Sequence, residues 1–297
     1  MKFQLIAAGT MLASMQCAPA IAQDEDETLG GVIGDAEIIE DGEAKTVFDD
    51  TWIAVGVGLR VDTSYDGSDD YVIYPLPAAT GRIKGVEFSP RGAGGALTLV
   101  EVDLSRNVEI GLGPVARLRS DRRRNIQDPV VEAAGKLRTA VEVGATAGIT
   151  FKRVLNDYDR LSIGVDFLWD VKGAHSGMVI DPGISYRTPL SRGIIANISA
   201  GAQYGDSDFM DYYYSVSPAQ SSASGLPLFQ ADKGWEKAGV SLGVGFDLDG
   251  NLENGGFVIG VLGGYSRMLG DSRRTPYTSL RGDADQFYGA AGVGYVF

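Results

Sequence analysis

The single histidine, His175 in "VKGAHSGM", is where acid–base or nucleophilic chemistry would have to start. A serine hydrolase needs a histidine within reach of its nucleophile, and Ser176 is the next residue. Neighbours on a strand point to opposite faces, so the two do not form a pair, and His175 reads as a solvated loop residue. One histidine and one cysteine, Cys17, cannot assemble a zinc site. "DLDGNLEN" places Asp247, Asp249, Asn251 and Glu253 at calcium-loop spacing, but Leu252 occupies the position where such a loop requires glycine. It reads as a tight polar turn. No residue set supports catalysis or a cofactor, and a non-enzymatic protein is expected.

The elements that would position these residues are strands. In "RLSIGVDFLWD", Leu161, Ile163, Val165, Phe167 and Trp169 alternate with Ser162, Gly164, Asp166, Leu168 and Asp170. "GVSLGVGFDLD" and "NVEIGLGPVARLR" repeat the pattern, with small and charged residues on the second face. Period-two alternation over ten or more residues is shared by soluble sandwiches and membrane barrels. Strand length, aromatics near strand ends and alternating short and long connections favour an outer-membrane barrel with its apolar face to lipid. The 41 glycines are about twice the usual share, and no window after the amino-terminal segment could span a membrane as a helix.

"MKFQLIAAGTMLASMQCAPAIAQ" has a lysine, an apolar stretch and small residues at Ala20 and Ala22, so residues 1–22 are expected to be a cleaved signal peptide. Residues 23–50 carry eleven carboxylates against one lysine and are expected to form a flexible acidic periplasmic tail. Residues 51–297 would be an all-β, transmembrane antiparallel barrel in the outer membrane of a Gram-negative bacterium. The formal charge of −13 argues against a nucleic-acid partner.

Ten strands are expected at 51–61, 71–83, 107–119, 137–152, 158–171, 176–187, 193–204, 235–249, 255–269 and 286–297. Glycine-rich 85–103 adds two or none; an even count of twelve is favoured over ten. "NDYD", "TPLSR" and "DGNLENG" are expected as tight periplasmic turns, with 120–136, 205–234 and 270–285 as long outer loops. The last strand would close on the first, and Tyr295 and Phe297 would form an aromatic signal for the barrel-assembly machinery.

Outer-membrane lipid and lipopolysaccharide would surround such a barrel. Asp62, Asp66, Asp69 and Asp70 then read as a solvated acidic loop, or as carboxylates sharing divalent ions with lipopolysaccharide. Arg122, Arg123 and Arg124 either pair with lipid phosphates or keep a loop soluble. Arg60, Glu109, Arg117, Arg119, Arg138, Glu142, Lys152, Asp166, Asp170, Asp181, Arg187 and Asp247 are expected to face the lumen. Mixed signs there either line a narrow pore or pair and plug it.

Two stretches carry a more specific signal. "DFMDYYYSVSPAQSSASGLPLFQADKGW", with Ser217, Pro218, Ala219, Gln220, Ser224, Gly225, Leu226 and Pro227, resembles the signature loop of the MipA/OmpV family of outer-membrane proteins (MltA-interacting protein family). "GYSRMLGDSRRTPYTSLRGDADQFYGAAGVGYVF" is similar to that family's last two strands. The resemblance runs from about Thr51 to Phe297 and implies a non-enzymatic barrel. One member is a scaffold joining a lytic transglycosylase to a bifunctional penicillin-binding protein, and others are described as porins or adhesins. The expected function is therefore a scaffold for a murein-synthesising and hydrolysing complex, with a narrow small-solute porin or an adhesin as alternatives.

Overall fold

The computed structural model describes Val47 and residues 51–297; the expected signal peptide, and the expected tail apart from Val47, lie outside the described residues. Thirteen strand segments follow one another: β1 (Trp52–Thr63), β2 (Tyr71–Ile83), β3 (Val86–Pro90), β4 (Ala93–Thr98), β5 (Val100–Ser105), β6 (Val108–Arg119), β7 (Ala140–Lys152), β8 (Arg160–Asp170), β9 (Met178–Ser191), β10 (Ile194–Gly205), β11 (Gly234–Asp247), β12 (Gly256–Met268) and β13 (Asp285–Val296). Each pairs antiparallel with its neighbours, and β13 returns to β1 from Ala54 opposite Val296 to Val61 opposite Gly289. Phe297 N–H adds a bond to Ile53 O at 2.9 Å, so the last strand has no free edge.

The glycine-rich stretch supplies two strands, in a form that simple alternation does not anticipate. β4 and β5 both pair with β6, and the break between them is a bulge in which Leu99 N–H bonds Leu112 O at 3.0 Å while Val100 also opposes Leu112. Two residues against one shift the outward set from Leu97 and Leu99 to Val100, Val102 and Leu104, all exposed. The two segments make one strand, and the barrel is a closed antiparallel sheet of twelve strands.

The outward face is apolar throughout, with Val57, Leu59, Ile73, Val240, Phe257 and Phe287 exposed. Glycine lets the backbones approach: a Cβ on Gly144 would lie 1.7 Å from Phe167 O on the paired strand. Among the described residues no helix is long and apolar enough to cross a membrane, as expected for a protein that crosses with strands.

Five short helices lie in the long connections at one end: α1 (Pro129–Ala133), α2 (Ser207–Tyr214), α3 (Pro218–Ser224), α4 (Gly270–Arg274) and α5 (Pro276–Ser279). The opposite end has short connections at 84–85, 106–107, 153–159, 192–193 and 248–255. Val47 is tied to this end, its N–H donating to Glu253 O at 2.9 Å. One expected turn moves. Residues 188–191 of "TPLSR" belong to β9, which runs on to Ser191 past a register shift at Ile194 and Ile195, where Pro189 pairs with Ile195, and the turn narrows to Arg192 and Gly193.

Candidate functional site

Twelve strands enclose more space than their own inward side chains fill, so the function of the barrel depends on what crosses its lumen. What crosses it is a layer of buried charge. Glu142 on β7, fully buried, accepts from Arg117 Nε at 2.5 Å and Arg119 Nε at 2.7 Å, and its Oε1 lies 3.2 Å from His175 Nε2. Arg117 also reaches Asp181 on β9, Gln203 Nε2 donates to Asp181 at 2.7 Å, and Arg119 Nη2 donates to Gln203 Oε1 at 3.0 Å. Five strands contribute when Glu236 of β11 is included, 3.9 Å from Arg119 Nη1. Buried ions are tolerated when paired and hydrogen-bonded, and each of these has at least one such partner.

A roof of aromatic side chains sits on this layer. Asp206 accepts from Phe209 N–H and Met178 N–H, capping α2 and docking it on β9. The helix then buries Phe209, Met210, Tyr213 and Tyr214. The Arg119 guanidinium lies 4.9 Å from the Phe209 ring centre, and Tyr214 OH donates to Glu236. These residues form one cluster with Val115, Leu168, Val179 and Met268 from the walls.

The signature residues build the next part of the roof. Ser217 caps α3 and Gln220 returns the bond to Ser217 N–H, a reciprocal capping box, with Pro218 in the first helical turn and Ala219 after it. Ser224 Oγ donates to Gln220 O, and Gly225, at φ 76°, ends the helix in the left-handed conformation that glycine adopts freely. Leu226, followed by Pro227, is then buried with Val216 of its own loop against Tyr65, Ile126, Val131 and Tyr277 from three other loops. The motif is a loop-folding cassette and carries no reactive group.

Several expectations on individual residues need correction. His175 is not a solvated loop residue. Asp170 accepts from the N–H groups of Lys172, His175 and Ser176, curling the loop inward so that the imidazole is buried on Glu142. Arg122 is neither lipid-facing nor solubilising, since it is buried 3.9 Å over the Tyr277 ring and donates to Tyr213 O. Nor is 62–70 solvated as a whole, since of its carboxylates only Asp69 is exposed. Asp62 pairs with Arg60, Asp66 takes Lys237 Nζ at 2.7 Å, and Ser68 is buried beneath Gln286. Arg138 precedes β7 and is exposed, donating to Gly173 O instead of facing the lumen. Asp247 ends β11 as a turn cap, taking the N–H groups of Asp249, Gly250 and Asn251.

Other charges do face inward. Arg60 and Arg187 are buried, Arg91 Nε donates to Asp166 Oδ2 at 2.9 Å across the lumen, and Glu109 pairs with Lys152 at 2.5 Å. Glu236 and Lys237 were not among the expected lumen charges. A bulge opposite Gln203 and Tyr204 places both inside, against the period-two rule. Gln203 was legible in principle, in phase with Asn197 and Ser199 along β10. The Tyr295 and Phe297 ring centres lie 4.6 Å apart, the rings tilted at 57°, where β13 meets β1.

Two loops of the roof are joined by Asp128, which caps α1 through Val130 and Val131 N–H and takes Arg281 at 2.6 Å. Burial opposes its ionisation, but Arg281 and the two amides outweigh it and hold the carboxyl below the usual range. A depressed folded pKa gives stabilisation that is full above about pH 4 and is lost as pH falls through the folded value. Asp128→Ala is expected to cost the loop about 1–2 kcal/mol of local stability. Limited proteolysis checks this: the variant should be cut within 120–139 at neutral pH, and the parent only in strong acid.

A closed twelve-strand sheet with an apolar outer belt, an inward polar face and its loops gathered at one end defines an outer-membrane β-barrel protein. The lumen holds buried ion pairs under a helical roof, with no constellation suited to bond-making chemistry among the described residues. The model of the family described as MltA-interacting protein MipA matches residues 55–297, and the chain belongs to that family. No curated protein matches the chain. Among solved structures, an outer-membrane channel from Pseudomonas putida is 11% identical with a TM-score of 0.45, covering 87% of this chain and 100% of its own. OmpT of Vibrio cholerae, an outer-membrane protein, is 8% identical with a TM-score of 0.36, covering 84% and 97%. A FadL homologue of Pseudomonas aeruginosa is 11% identical with a TM-score of 0.34, covering 84% and 90%.

Proposed function

We propose that this barrel is a closed, non-enzymatic scaffold of the cell envelope that holds murein-processing enzymes at its periplasmic rim. The observation that carries the reading is the Glu142-centred layer with α2 above it, which fills the lumen where a diffusion pore needs water. The description of the family, MltA-interacting protein, supports a lytic transglycosylase as one partner. A penicillin-binding protein is the second partner in this reading.

In the same reading, residues 1–22 are a signal removed on export, 23–50 lie in the periplasm, and Tyr295 with Phe297 is read by the barrel-assembly machinery. The partner surface is the set of short connections together with the acidic tail. A narrow porin remains the second reading because charges of both signs line the cavity below the layer. An adhesin is less well supported, since Tyr213 and Tyr214 are turned inward.

Affinity purification of the full mature chain from envelope extracts tests the scaffold. A lytic transglycosylase and a penicillin-binding protein should co-purify, and replacing 154–157 and 250–254 by Gly-Ser turns should reduce their recovery at least several-fold. Unchanged recovery with the altered turns, or no recovery of either enzyme by the parent, would contradict the reading.

A further inference from the structure

The barrel wall is not hydrogen-bonded over its whole height. β2 pairs with β1 along its full length, from Trp52 opposite Arg82 to Thr63 opposite Tyr71. On its other side it pairs with β3 only through Gly81, Arg82 and Ile83. Among the described residues no backbone ladder pairs with that side over Tyr71–Thr80, an edge of roughly 30 Å at ~3.3 Å per residue where only Thr80 Oγ1 reaches across, to Phe88 O.

The register shows which groups face the gap. Ile53 exchanges both bonds with Phe297, so odd-numbered residues of β1 bond towards β13 and even-numbered ones towards β2. The partners of those even residues are Val72, Tyr74, Leu76, Ala78 and Thr80. The odd residues of β2 therefore turn their backbone groups to the gap. Two of them are Pro75 and Pro77, which have no N–H, and the ladder stops where Pro90 of β3 comes level with Ala79. Proline sits at the sites where a ladder donor would otherwise be left over.

This edge is not built for another strand. A second copy docking on it would find two of its five donors missing, the usual protection of an edge against such pairing. Nor can open backbone face hydrocarbon at membrane depth; it persists there only where it lines protein or a wet cavity. Such a cavity is adjacent. The hairpin tip below the gap, through Ser89, Arg91 and Gly92, also lines a lumen cavity of about 290 Å³ under the charged layer. Arg117 lines the cavity as well; its side chain is nine-tenths buried, and Nη2 has no hydrogen-bond partner among the described residues. Ala78, in phase with the lumen face, is nonetheless exposed.

We propose that the gap between β2 and the β3–β4 hairpin is a lateral portal. It admits a small single-chain amphiphile from the membrane into the lumen, with a carboxylate head going to Arg117 Nη2 and an apolar chain left between Pro75, Pro77 and Pro90. The charged layer and its roof close one end of the barrel, and the gap is the approach to the cavity from the membrane side. The cavity volume accommodates a carboxylate head and a short chain, and excludes a multi-chain lipid.

Photolabelling of the full mature chain, refolded in liposomes with a diazirine-bearing decanoic acid, tests this. Labelled peptides should concentrate at 71–80 and 89–93, and a hundredfold excess of unlabelled decanoate should remove that labelling while sparing the rest of the belt. Ala78→Trp should lower labelling at the gap at least fivefold, and Val57→Trp, on the lipid face of β1, should not. Uniform labelling of the belt, labelling that decanoate does not compete, or cross-linking of β2 to a second copy would each overturn the proposal. The competition needs no variant, so it decides even if Ala78→Trp fails to fold.

Discussion

Replacing Glu142 by alanine is expected to destabilise the barrel by about 3–5 kcal/mol, the usual consequence of removing one partner from a buried ionic cluster. The carboxylate is fully buried and engages Arg117, Arg119 and His175, so its loss leaves two guanidinium groups in a dry layer with only their secondary partners. Those partners are Asp181 for Arg117, and Gln203 and Glu236 for Arg119. Urea unfolding in detergent micelles, followed by the heat-modifiable gel shift of the folded barrel, measures the effect. Glu142→Ala combined with Arg119→Met should recover part of the loss, because one stranded charge is then gone. A single variant within about 0.5 kcal/mol of the parent, the range of ordinary surface changes, would show that the layer is solvated.

Removing the roof should have the larger functional effect. With residues 207–232 replaced by a short Gly-Ser linker, Phe209, Tyr213 and Tyr214 leave the lumen and Arg119 and Glu236 lose their cover. The barrel wall does not depend on this segment, since β10 and β11 pair directly from Ile194 opposite Phe246 to Gly205 opposite Gly234. Liposomes carrying the deletion should swell in arabinose about tenfold faster than liposomes carrying the parent, as expected when a twelve-strand lumen loses its filling. Equal rates would mean that the charged layer alone is sufficient to seal the barrel.

The strands were legible in the sequence because a wall with lipid on one side and a polar lumen on the other imposes a strict period of two. β2, β6, β10 and β13 begin and end within a residue of their expected bounds. Where backbone geometry breaks the period, the pattern misleads. The bulge at Leu99 and Val100 disguises one strand as a glycine-rich run, and the bulge at Glu236 turns two adjacent residues inward.

The site was legible in part. Arg117, Arg119, Glu142 and Asp181 follow from strand phase alone, but nothing local to His175 reveals that its loop folds onto Glu142, 33 residues earlier. Arg122 is likewise defined by Tyr213, 91 residues later, and by Tyr277. A run of three arginines looks solvated until the aromatic surfaces that cover one of them are in place. The unpaired edge of β2 was foreshadowed by "YPLPAAT", in which two prolines two residues apart mark a strand that gives up donors on one side.

The central claim is that the lumen is closed, and planar-bilayer recording of the intact mature chain at neutral pH tests it most directly. A barrel sealed by the Glu142 layer and α2 should insert without discrete conductance steps. Regular, reproducible steps from the intact chain would contradict the account and make the barrel a pore.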